Sequence, residues 1–378
     1  MSYNINTLCI HCHDNSDKDH PFGAITVPIY QSATFAHPGI GESTGYDYSR
    51  ESNPTRAELE KVMKGLENAY DSIACNSGMA AITLMLDLFK DGDNIICSED
   101  LYGGSVRIFN TVGKEKGISF DYVDSSDADL VEKSIKSNTK ALFIETPSNP
   151  TMLVTDLHQM KEIASKHNLL LIIDNTFLSP YFCRPLELGA DIDLHSATKF
   201  LGDTLAGFIS VKDKNISEKM RFTYKTLGLS LSAFDSYLIL RGIKTLGVRL
   251  ERQEKNAMKI AAFLKNHPKV SKLMYIGLKE HKGHDIHLKQ ASGFGSMISF
   301  VTDNADTAKK ALEKIKLISY AESLGGVESL MTYPMIQTHG DVPVEVRERL
   351  GINDRFLRLS VGLEDADDLI KDLEQALA

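Results

Sequence analysis

The 378-residue sequence has no tryptophan and only five cysteines, Cys9, Cys12, Cys75, Cys97 and Cys183. Thiols so few and so scattered cannot build a disulfide framework, so they read as free thiols and the fold must rest on an ordinary apolar core. No run approaches the roughly 18 apolar residues of a membrane span, and the N-terminal MSYNINTLCIHCHDNSDKDH lacks the charged-then-apolar order of a secretory signal. A cytoplasmic protein with no membrane partner is expected. Positive charge is scarce as well: 42 Lys and Arg stand against 51 Asp and Glu, for a net charge of −9 with no basic block. That balance argues against nucleic acid and for a small-molecule substrate. Neither GxGxxG nor GxxxxGK[ST] occurs, which argues against a nucleotide site and against a nicotinamide-dependent dehydrogenase.

Metal-ligand residue types crowd together twice. Cys9, His11, Cys12 and His13 lie too close along the chain to close one tetrahedron. His281, His284 and His287 lack a thiolate or carboxylate partner and read as a polar surface turn. No metal is expected.

Residues 1–54, rich in Gly, Ser, Thr, Pro and His, read as an extended arm. Asn53-Pro54 then offers a helix cap followed by proline at the first helical position, with Leu59, Val62, Met63 and Leu66 on one face. From Ser72 onward, short apolar stretches (73–75, 94–97, 120–123, 141–144 and 169–173) alternate with amphipathic stretches of helical length. Such alternation predicts an α/β domain over 55–236, built on a mostly parallel sheet with its ligand site at the carboxyl edge. A long helix over 241–266, stopped by Pro268, leads into a smaller C-terminal α/β domain spanning 237–378.

The chemistry gathers in LLLIIDNTFLSPYFCRPLELGADIDLHSATKFLGDTLAG, residues 169–207. An apolar strand ends in Asp174, and a second short strand over 193–197 delivers Ser196, Thr198 and Lys199 to the same edge. Ser77 and Gly78 sit where a strand turns into a helix, which suits either a plain helix cap or an anion. Tyr102 occupies a glycine-flanked loop in EDLYGGS. Arg358, between apolar neighbours in RLSVG, is either a buried ion-pair partner or an anion clamp.

DNTF followed by HSATK, with the lysine twenty-five residues after the aspartate, resembles the cystathionine γ-synthase and γ-lyase family of pyridoxal 5'-phosphate enzymes. The resemblance runs from about Thr26 to the C-terminus. It implies a fold-type I, aminotransferase-like PLP-dependent transferase. Lys199 would carry the cofactor and act as base, opposite Asp174 at the pyridinium nitrogen. Ser77, Gly78 and Met79 would hold the phosphate, with Thr176, Ser196 and Thr198 lining the cofactor. Tyr102 would stack on the ring and assist proton transfer. Asn149 and Arg358 would take the substrate carboxylate, and Glu322, Ser323 and Asp47 its distal end. Tyr48 and Arg50 would cross to a neighbouring subunit's phosphate, which implies a homo-oligomer, a tetramer built as a dimer of dimers.

Two positions bear on the substrate: Gly104 stands where methionine γ-lyases carry cysteine, and Glu322 where they carry a non-acidic residue. TYPMIQTHGDVP looks like the γ-synthase and O-acetylhomoserine-using branch more than the β-lyases. The resemblance therefore implies action at Cγ of cystathionine or of an O-acyl-homoserine, with a β-lyase or O-acetylhomoserine sulfhydrylase as the alternative. One departure stands out: after Lys199 the chain reads FLGDTLAG, about three residues shorter than the family pattern. That shortening keeps open a cofactor-binding homologue with weak catalysis and a regulatory or scaffold role.

Overall fold

A computed structural model describes residues 3–11, 23–340, 342 and 344–378. Cys12 and His13, and Asp341 and Pro343 of the TYPMIQTHGDVP segment, lie outside the described residues. Within the expected arm, Ile5–His11 is a short helix, α1, which packs on α2 (Pro54–Glu67). Helix α2 starts as its sequence requires: the Asn53 side chain accepts from the Thr55 and Arg56 amides, and Pro54 follows. Leu59, Val62, Met63 and Leu66 are all buried on its inner face.

Seven strands form the larger sheet: β1 (Asp71–Cys75), β2 (Asn94–Ser98), β3 (Ser119–Val123), β4 (Thr139–Glu145), β5 (Leu170–Asp174), β6 (Ile192–Ser196) and β7 (Gly207–Val211). Their order is β1-β7-β6-β5-β4-β2-β3. All pairs are parallel except those that β7 makes with β1 and β6. Side chains alternate between faces as the pleat demands: Leu142 and Ile144 of β4 join the core shared with α2, while Ala141 and Phe143 join the core on the opposite face. Helix α3 (Gly78–Leu86) covers that second face through Ile82, Met85 and Leu86. Parallel strands covered on both faces leave only their carboxyl edge open to a ligand.

The smaller sheet, β8 (Val270–Met274), β9 (Met297–Thr302), β10 (Ser319–Tyr320), β11 (Leu330–Thr332) and β12 (Phe356–Ser360), has the order β10-β11-β12-β9-β8. It encloses a third core with the helices Leu246–Lys265 and Ala366–Leu377. The helix expected over 241–266 is in fact broken. Ala233–Ile243 ends against the turn after Lys199, where a Cβ on Gly242 would meet the Leu201 carbonyl at 2.4 Å. The carbonyl of Gly242 then takes bonds from the Thr245 amide and from Arg249 (2.9 Å), and a new helix starts at Leu246.

The histidine cluster also departs from expectation, for it is not a surface turn. His284 and His287 are buried, bound to the Ile276 and Gly293 carbonyls at 2.8 and 2.7 Å, and stacked on Phe294. Imidazole satisfied by a backbone carbonyl buries as readily as an aromatic ring, which composition alone does not reveal. No helix among the described residues is long and apolar enough to cross a membrane.

Arg221, on the helix Lys214–Leu227, fastens the sheet's β1 edge. It donates to both Asp71 oxygens (2.9 and 2.7 Å), to Glu60 (2.9 Å) and to the Ser72 carbonyl (2.9 Å). Burial would raise the Asp71 carboxyl, yet the bonds from Arg221 win and hold it below its ordinary value. Arg221→Ala should therefore cost about 2 kcal/mol at neutral pH. Because a depressed acid gives stability that is lost as pH falls through its folded pKa, the deficit should shrink below about pH 4. Thermal unfolding of both proteins across pH checks this.

Candidate active site

A cavity of about 290 Å³ opens at the carboxyl edge of β4, β5 and β6, under the β11–β12 side of the smaller sheet. Its wall includes thirteen of the sixteen residues singled out from sequence: Ser77, Gly78, Met79, Tyr102, Asn149, Asp174, Thr176, Ser196, Thr198, Lys199, Glu322, Ser323 and Arg358. Asp47, Tyr48 and Arg50 do not line it; Tyr48 is 45% exposed, and Arg50 donates to the Lys225 carbonyl on the outer surface.

Lys199 follows β6 in a tight turn. Thr198 closes that turn by exchanging bonds with Ala206, and Ser196 pairs with Gly207 at the start of β7. The short connection thus still presents the lysine inward, where Nζ donates to Ser323 Oγ at 2.9 Å. Burial and then the Arg358 guanidinium push the amine down to about 8, although Glu322 pulls the other way. Ser323 is set to receive it by a left-handed backbone, φ 87°, on the loop leading to Gly325.

Asp174 ends β5 as a half-buried carboxylate. Thr176 supports one of its oxygens through backbone N (3.1 Å) and Oγ1 (2.6 Å), and the same Oγ1 accepts from the Ser196 amide. Burial raises the Asp174 carboxyl, while these bonds and the His195 charge pull it back. Below it the start of α3 is stripped for close approach. Ser77 caps the helix through Ala80 N, leaving the Gly78 and Met79 amides without partners inside the helix. A Cβ on Gly207 would strike the Ser77 carbonyl at 2.2 Å, and one on Gly78 would meet Ser196 Cβ at 2.9 Å. Only bare backbone fits there, so amides rather than side chains face the cavity.

Tyr102 begins α4 (Gly103–Ile108), and its ring lies over Gly104, whose Cβ would come within 2.4 Å of it. Gly103 is equally pressed, against the Thr338 carbonyl at 2.1 Å, so the segment with Gln337 and Thr338 seats directly on this loop. Arg358 is only 1% exposed. Its guanidinium donates to Asn149 Oδ1 (2.7 Å), the Ser323 carbonyl (3.0 Å) and Thr332 Oγ1 (3.1 Å), while Nε is buried without a partner among the described residues. Burial lowers it to about 10, still cationic at neutral pH. No carboxylate among the described residues bonds it, which favours the clamp over the ion pair.

Sequence reasoning passed over several wall residues, chiefly Arg107, Glu145 and His195. Glu145 was hidden inside ETPSNP as the last residue of a strand, although its place one strand from Asp174 was legible. His195 is held with Glu67 and Asp193 in a buried cluster, with Nε2 2.6 Å from Glu67 and 3.2 Å from Asp193. Burial alone would lower the imidazole, but the two carboxylates raise it well above its ordinary value. The ring is bonded to one acid and flanked by a second, and 128 residues separate Glu67 from His195, a distance that no local motif could bridge.

A nucleophilic amine, an acid one strand away and a ring of bare amides suit a ligand that is aldehyde, ring base and phosphate ester at once. The residues present fit pyridoxal phosphate. The Cys/Met metabolism PLP-dependent enzyme family matches residues 6–378. Cystathionine γ-lyase of Bacillus subtilis (strain 168) is 47% identical, over 97% of each chain. Cystathionine β-lyase of Lactococcus lactis subsp. cremoris (strain MG1363) is 44% identical, over 99% of this chain and 98% of its own. A solved structure of cystathionine γ-synthase from Xanthomonas oryzae pv. oryzae with cystathionine superposes with a TM-score of 0.96 at 37% identity, covering 100% of this chain and 98% of that one. The chain belongs to the Cys/Met metabolism family of PLP-dependent enzymes.

Two outcomes follow from this geometry. Only the neutral amine attacks an aldehyde, so the rate at which cofactor-free protein takes up pyridoxal phosphate should climb with pH and level near pH 8. A profile still rising toward about 10.4, the ordinary lysine value, would contradict the burial effect. Gly207→Ala should displace the Ser77 turn, weaken cofactor binding by about tenfold or more and lower the thermal midpoint, because the new Cβ would press on buried backbone. Equilibrium titration by absorbance reads the first and calorimetry the second.

Proposed function

We propose that this enzyme acts at Cγ of a sulfur amino acid or its precursor, as a cystathionine γ-lyase or γ-synthase in the cytoplasm. The observation that carries this is the placement of Lys199, with its amine lowered to about 8, between Arg358 and the acidic Glu322 in one cavity. Arg358 would clamp the α-carboxylate, its free Nε–H gaining the partner it lacks, with Asn149 holding the guanidinium in plane. Lys199 would then remove the Cα proton and, in turn, a Cβ proton, and the electron pair freed at Cβ would expel the Cγ substituent, which leaves with a proton returned by Lys199. When bound, the cofactor supplies the electron sink for the Cα electron pair, and Asp174 keeps its ring nitrogen protonated. Tyr102 would cover the ring face, and the Gly78 and Met79 amides would hold the phosphate. Glu322 faces the distal end, where an ammonium group would find its counter-charge. Arg107, at the same wall, adds a cation for a distal carboxylate.

Tyr48 and Arg50 point away from their own cavity, so they would serve a second chain within a homotetramer. Seated inward despite the shortened turn, Lys199 favours a working enzyme over a silent homologue.

The test is to load the purified protein with pyridoxal phosphate and supply cystathionine, then O-acyl-homoserine with cysteine. Cysteine and 2-oxobutyrate mean γ-elimination, and new cystathionine means synthesis. Homocysteine with pyruvate would assign β-elimination instead and overturn the proposal. Lys199→Ala should abolish turnover while the phosphate turn still retains some cofactor.

A further inference from the structure

One acid in the cavity has no part in the steps above. Glu145 ends β4 as Asp174 ends β5, and the parallel register sets the two directly opposite each other. Paired residues share a face, so both carboxyls leave the sheet side by side into the same cavity. Two bare negative charges so placed repel. Their surroundings are unequal. Asp174 receives two donors from Thr176 and faces the His195 charge. Glu145 receives one, the Tyr102 amide on Oε2 at 2.9 Å, and Oε1 accepts no bond among the described residues. The other charged groups facing Glu145 are Asp100, in the loop after β2, and Arg358 on β12, whose guanidinium bonds instead to Asn149, Ser323 and Thr332.

We propose that Glu145 carries the proton of the Glu145–Asp174 pair and, in that neutral form, is the positioning residue that fixes Tyr102 and leaves Asp174 as the pair's only anion. Burial and the neighbouring Asp174 both raise Glu145 well above the carboxylate range, in the same direction as the donor imbalance. The Asp174 charge weighs on Glu145, while Asp174 has Thr176 and His195 to offset its own burial, so a proton that relieves the pair belongs on Glu145. Were Glu145 ionised, the proton would pass to Asp174, and the ring nitrogen would lose the charge that keeps it protonated. Because the Tyr102 ring lies over Gly104 and hangs from an amide held by Glu145, the same carboxyl sets both the stacking face and the ring-nitrogen end of the cavity. This inference rests on the pyridoxal-phosphate reading and goes beyond it by assigning a protonation state.

Difference infrared spectroscopy at neutral pH, wild type minus Glu145→Gln, reads the proton directly. Asp100 and Asp193 are buried acids too, so the difference is needed to isolate one group. The expected result is a protonated-carboxyl carbonyl stretch in wild type that disappears in the variant, with and without cofactor. An ionised-carboxylate band in its place would overturn the proposal. Cofactor affinity provides a second arm. Glu145→Gln, a neutral acceptor of the same shape, should bind within about twofold of wild type, whereas Glu145→Ala, which orphans the Tyr102 amide, should bind about tenfold more weakly. Equal loss in both variants would show that the charge matters and sink the assignment. A wild type that shows the infrared band yet takes up no cofactor would instead remove the functional reading and leave the proton assignment standing.

Discussion

The hydrogen bond from Arg358 to Asn149 Oδ1 joins the smaller sheet to the larger one, and the cavity takes its shape from that join. A guanidinium is costly to bury, and this one is buried without a bonded carboxylate, so amide, carbonyl and hydroxyl oxygens must replace its water. Each of those acceptors comes from a different stretch: ETPSNP, the Ser323 loop and β11. Fixing the guanidinium therefore fixes all three. Ser323, held through its carbonyl, then presents its hydroxyl to Lys199. The same positive charge adds to burial in lowering the lysine. One cation thus sets both the walls of the site and the proton affinity of its lysine.

Beneath the sheet the charge problem is solved in another way. His195 leaves β6 toward α2, where it bonds Glu67 with Asp193 beside it, out of reach of water. This buried charge pulls Asp174 back toward its ionised form from the far side of the strand. Electrostatics at the carboxyl edge therefore depend on groups on both faces of the sheet, and a substitution in α2 at Glu67 would be felt in the cavity.

Much of the fold was legible because it rests on local patterns. Asn53-Pro54 followed by Leu59, Val62, Met63 and Leu66 at helical spacing marks a helix start locally, and the apolar runs 141–144 and 169–173, set between turn residues, read as buried strands. Lys199, Asp174 and the Ser77 turn were legible for a related reason: parallel strands bring all their carboxyl ends to one edge. What escaped was set by tertiary contact. The antiparallel strand β7 was not singled out, because GFISV is as apolar as its parallel neighbours and direction is decided by the short turn after Lys199. The break between Ile243 and Leu246 depends on how closely Gly242 approaches Leu201. Glu145 and Glu67 read as ordinary ends of elements, since neither shows its partner in sequence.

The cysteines excluded as disulfides have a further consequence. Cys75, Cys97 and Cys183 are buried, and burial raises all three thiols above their ordinary value, so they carry almost no thiolate and meet no solvent. Thiol exchange needs both a thiolate and access. Were the chain to act on thiol amino acids as proposed, these three positions would give mixed disulfides no thiolate to capture. The chain is chemically deaf, at these sites, to the class of molecule it is proposed to handle.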